Sequence, residues 1–142
     1  MKQLFIAAAL IAACSLASPV HATGAMAVAE PADVSTDGFA VGIAYNHKTN
    51  ETAEERALRE CRSVEEAPPA TRKLCKIVRT FENQCGAAAI DPQNGTPGAG
   101  WAIADTLAIA KRDALQRCED TAGRDRKGEC RITLEGCDGK AK

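Results

Sequence analysis

Ala53-Glu-Glu-Arg-Ala57-Leu58-Arg-Glu-Cys61 and Ala110-Lys-Arg-Asp-Ala114-Leu115-Gln-Arg-Cys118 read as one helical stretch used twice. Ala53, Ala57, Leu58 and Cys61 fall on Ala110, Ala114, Leu115 and Cys118 at a constant offset of 57 residues. In each copy the apolar positions line one narrow helical stripe, with the cysteine on the buried side. A polar loop follows each copy, then a short strand opened by a cysteine. The first strand runs from Cys75 through Ile77 and Val78 to Phe81, with Cys85 beyond; the second runs from Cys130 through Ile132 to Leu134, with Cys137 beyond. Two pseudo-repeated helix-loop-strand units predict an α+β domain, with two helices on one face of a mainly antiparallel sheet.

The amino terminus accounts for the cysteine content. Met1-Lys2-Gln3 is a short positive segment, Leu4 to Leu16 is apolar but too short to span a bilayer, and Ser18-Pro19-Val20-His21-Ala22 ends in small residues. Residues 1–22 therefore read as a signal peptide cleaved after Ala22, which removes Cys14 and leaves six of the seven cysteines. The competing reading takes Ile11-Ala12-Ala13-Cys14 as a lipobox and makes Cys14 a lipidated first residue. Either way the chain is exported, to the periplasm or beyond, and six cysteines in an exported chain form a disulfide framework. No transmembrane segment is expected in the mature chain.

Working outward from the helices, residues 23–38 are Ala-rich, without periodicity, and read as a flexible leader. Residues 39–138 form the folded domain and 139–142 a tail. Phe39 to Tyr45 alternates large and small apolar residues, as a strand with one buried face does. Thr52-Ala-Glu-Glu55 fits a capping box at the start of the first helix, and Asp105 or Thr106 caps the second. Asp91-Pro92-Gln-Asn94-Gly95-Thr-Pro97-Gly98 marks a turn between two strands.

Taken in order, Ala-Leu-x-x-Cys61, Cys75-x-Ile77, Phe81, Asn83-x-Cys85-Gly86-Ala, Gly100-Trp101, Ala-Leu-x-x-Cys118 and Cys130-Arg-Ile132 resemble one bacterial family. It is the exported family catalogued as domain of unknown function 4189, and the resemblance runs from Phe39 to Asp138. The resemblance implies no common activity and supplies no catalytic residues. It also implies a hairpin before the first helix, where only one strand fits between Gly38 and Thr49.

The cysteines Cys61, Cys75, Cys85, Cys118, Cys130 and Cys137 are the one chemical constellation. No Cys-x-x-Cys pair suggests zinc or redox catalysis, and His47 is the one histidine after Ala22. Many connectivities are open to six cysteines. Repeat symmetry favours Cys61–Cys75 and Cys118–Cys130, each tying a helix end to the next strand, with Cys85–Cys137 joining the two halves. His47 reads as a surface turn residue and Trp101 as core. No catalytic, cofactor-binding or metal site is assigned, and no cofactor is expected.

Formal charge is −1, the basic residues are interspersed with acids, and aromatics make up 4%, so nucleic acid is not the expected partner. The reading is of a small exported, disulfide-stabilised domain that binds another envelope or exported protein, in the manner of an inhibitor, immunity or accessory module. A structural envelope protein is the first alternative and a periplasmic enzyme the second.

Overall fold

The computed structural model describes residues 22–142. The expected signal peptide up to His21, with Cys14, lies outside the described residues. Six strands, four helices and a 3₁₀ turn follow in the order β1 (Thr23–Ala29), α1 (Val34–Asp37), β2 (Ala40–His47), α2 (Asn50–Arg62), α3 (Pro69–Arg72), β3 (Lys76–Phe81), β4 (Cys85–Ile90), β5 (Ala99–Ala104), α4 (Leu107–Ala122), the turn Arg124–Arg126, and β6 (Arg131–Cys137).

The α+β class holds, but the strands divide into two antiparallel three-stranded sheets, ordered β2-β1-β3 and β5-β4-β6. Each half of the chain builds one sheet by the same route: central strand, hairpin partner, long helix, returning strand. Alternation along the strands explains why two sheets form. In β1, Ala25, Ala27 and Ala29 face α2 with Ala53, Ala57 and Cys61, while Met26 and Val28 face away into a cluster with Ile43 and Phe81. In the second half, Cys85, Ala87 and Ala89 pack with Ala110, Ala114 and Cys118 of α4, and Trp101, Ile103 and Leu134 join the first half's bulky cluster. Small residues thus meet the helices and large ones fill the space between sheets. The layers run helix, sheet, sheet, helix, so the helices cover opposite outer faces rather than one.

Each helix lies close on its sheet at a glycine. A Cβ on Gly42 would strike the Ala57 carbonyl oxygen and the Cys61 amide nitrogen; one on Gly100 would strike the same two atoms of Ala114 and Cys118. The helix backbone occupies the volume a side chain would need.

Residues 23–38 are not a flexible leader. Thr23–Ala29 is the central strand of the first sheet, buried throughout, and Val34–Asp37 is one helical turn capped by Asp33. Alanine has weak strand propensity, and a strand covered on both faces shows no polar alternation, so the usual signals are missing. This strand is also the hairpin partner missing before the first helix, since β1 pairs with β2 from Ala29↔Ala40 to Thr23↔His47. Helix α2 begins earlier than the proposed capping box: Thr49 is the N-cap, its Oγ1 accepting from the Thr52 amide at 3.3 Å. Thr106 caps α4, its Oγ1 accepting from the Ile109 amide at 3.3 Å. The segment 139–142 is no loose tail either. The Lys142 carbonyl accepts from the Leu107 amide at 2.9 Å, and Ala141 packs on the second core.

Candidate functional site

The cysteines pair as Cys61–Cys75, Cys118–Cys130 and Cys85–Cys137. The first two do the same work in each half, fastening the last turns of α2 or α4 to the strand that follows, with Cα–Cα separations of 6.1 and 6.2 Å. The third has a different role from the one symmetry suggests. Cys85 and Cys137 lie directly opposite each other on β4 and β6, both in the second sheet. It closes the second half on itself and does not bridge the halves. All six cysteines among the described residues are in disulfides, so none of these is available as a thiol.

The halves are joined by the bulky inter-sheet cluster and by a hydrogen-bonded turn centred on Asp138. Asp138, fully buried immediately after β6, accepts from the Asn46 amide at 2.7 Å through Oδ1 and from the Asn83 amide at 3.3 Å through Oδ2. Its own amide donates to the Gln84 carbonyl at 2.8 Å. Asn46 and Asn83 are the two non-glycine residues with positive φ, 61° and 51°, among the described residues. Asparagine tolerates that region because its short amide finds local partners. Here Asn46 Oδ1 accepts from the Gly139 amide at 2.9 Å and Asn83 Oδ1 from the Lys140 amide at 3.2 Å. The C-terminal turn is therefore held from both sides, by the end of β2 and by the β3–β4 link. No local sequence pattern marks Asp138, because its partners are 92 and 55 residues away.

A second buried carboxyl braces the β4–β5 turn. Asp91 accepts from Arg126 twice, Oδ2 from Nε at 2.8 Å and Oδ1 from Nη2 at 2.7 Å, and Oδ1 also accepts from the Gln93 amide at 2.9 Å. The Arg126 guanidinium lowers the Asp91 pKa from the ordinary 3.8 to about 2, against the opposing effect of burial.

Where β2, β6 and the end of α2 converge, the surface opens into a trough of about 610 Å³ floored by Phe39, Val41, Ile43, Ile90 and Leu134. Of these Ile43 is buried and the others are half-buried, so apolar surface from both halves faces solvent together. Glu60, Glu65 and Glu66 form the rim. An adjoining pocket that shares Ile43, Glu60 and Leu134 with it is lined by Tyr45, His47 and Arg59, and another that shares Phe39, Glu66 and Ile90 is lined by Asp91 and Asn94.

The site residues considered from sequence do not line this trough. His47 lines the pocket that adjoins it. Trp101 is partly buried in the inter-sheet cluster, with the Arg117 guanidinium 5.6 Å from its ring centroid and donating to its carbonyl at 2.7 Å. Among the described residues no group of three His, Cys, Asp or Glu side chains is placed to hold a metal ion, and no helix is long and apolar enough to cross a membrane. The trough was not legible beforehand because its floor is drawn from β2, β4 and β6 together, and β6 meets β2 only across the junction of halves.

Residues 23–137 match the family model described as Domain of unknown function (DUF4189). No curated protein and no solved structure matches the chain.

Proposed function

We propose a protein-binding role in the bacterial envelope for this chain, which belongs to the DUF4189 family, a domain whose function is unknown. The single observation that carries the reading is the trough: apolar side chains from both halves left together at the surface, edged by charge. Exposed apolar surface rimmed by polar residues is a feature of protein-binding sites. Three disulfides in a chain of this size support an extracytoplasmic setting. Cleavage after Ala22 would leave Thr23, the first residue of β1, at the new terminus, so the whole fold would survive processing. The matching order of elements in the two halves supports reading the chain as a duplicated unit.

The test is affinity capture from envelope extract with two baits, the exported protein and its Thr133→Trp variant. Thr133 lines the trough and is exposed, so tryptophan there fills the cavity without touching the core. A protein retained by the first bait and lost from the second is the expected result. Identical sets of captured proteins contradict the proposal.

A further inference from the structure

We infer that the trough takes a cationic amphipathic segment of a partner protein, apolar side chains down and Lys or Arg against Glu65 and Glu66; this rests on the binding role proposed above. The inference joins two observations. The floor is apolar over its centre, with Phe39, Val41, Ile90 and Leu134 half-buried, so the occupant must present apolar side chains on one face. The charge at the centre has one sign. Glu60 is already engaged by Arg56 one helical turn away, whereas Glu65 and Glu66 are exposed and have no charged partner among the described residues. They follow the end of α2 in the link to α3, so both sit above the floor. A neutral apolar ligand would leave them beside a desolvated surface, and an acidic segment would meet repulsion. A segment carrying Lys or Arg meets complementary charge, which sets both encounter rate and choice of partner. Beyond Ile43, Glu60 and Leu134 the adjoining pocket is lined by His47, Arg56 and Arg59, so the cationic residues of the occupant belong at the Glu65–Glu66 end and not along its whole length.

The probe is a short fluorescent peptide of apolar residues with lysines clustered at one end, and a second in which glutamates replace the lysines. Both are titrated into the full chain, exported with its disulfides formed, and followed by anisotropy at low and high salt. The lysine peptide should bind in the micromolar range and weaken with salt, and the glutamate peptide should not bind. In E65K/E66K the lysine peptide should lose about tenfold, the effect of exchanging two exposed attractions for two repulsions. Thr133→Trp should remove binding altogether. Both variants alter exposed residues and leave the cores intact. Equal affinity for the two peptides, or no change in E65K/E66K, overturns the inference. A second copy as occupant would show as a dimer that Thr133→Trp dissolves, with no peptide bound, and overturns it too. Capture from extract separates the two claims. A partner lost with Thr133→Trp but kept by E65K/E66K leaves the binding role standing and refutes the cationic occupant; a partner kept by both variants refutes the binding role itself.

Discussion

Replacing Asp138 by alanine should loosen the junction between halves more than any other single change to a polar side chain. The substitution removes two acceptors at once and leaves the amides of Asn46 and Asn83 facing a small cavity. An orphaned buried donor costs about 1–3 kcal/mol, toward the lower figure where water can reach it. Asn46 and Asn83 are both exposed residues, so water will partly compensate. About 2–4 kcal/mol is then the expected total. For a domain of this size that lowers Tm by roughly 8–15 °C, taking a few degrees per kcal/mol. Asp138→Asn keeps one acceptor oxygen and should lose about half as much. Urea unfolding of the disulfide-bonded protein and both variants measures the difference directly. A loss below about 1 kcal/mol for Asp138→Ala would refute the assignment of this side chain as the clasp between halves.

Removing Cys61 with Cys75, as a pair, should cost about 3 kcal/mol by the chain-entropy estimate and free α2 in particular, because its buried stripe is two alanines besides the cysteine; hydrogen exchange along α2 reads this. Removing Cys85 with Cys137 should cost about 4 kcal/mol, and the increased exchange should appear in β4 and β6 and not in the first sheet. Gly42→Ala and Gly100→Ala should each destabilise by about 2 kcal/mol through collision with helix backbone, measured by denaturant midpoint. Because Asp91 is held at about 2, below its unfolded value, its contribution to stability is complete above the ordinary carboxyl range and is lost as pH falls through about 2. Acid titration of the urea midpoint should show this limb, and Arg126→Gln should flatten it.

The parts of this fold that could be read in advance are those whose partners lie close in sequence. The helices announce themselves by a stripe, and the short disulfides follow from one helix and the strand after it. β1 escaped because it is a central strand buried on both faces, so Gly24-Ala-Met26-Ala-Val28-Ala carries no polar alternation to distinguish it from a linker. The Cys85–Cys137 partner choice was accessible through symmetry, but its place was not: that depended on β6 returning to the edge of its own sheet beside β4. Asp138 and the trough share one reason for being hidden. Both exist where the halves meet, and no property of either half alone specifies how the inter-sheet cluster brings β2 against β6.

The central claim is that each half is closed by its own disulfides and that no disulfide spans the junction on which the trough is built. Non-reducing peptide mapping of the oxidised protein tests it. The account predicts three linked peptide pairs, Cys61–Cys75, Cys85–Cys137 and Cys118–Cys130, with Cys61 and Cys75 joined to no other cysteine. A peptide linking either of them to Cys85, Cys118, Cys130 or Cys137 would contradict it.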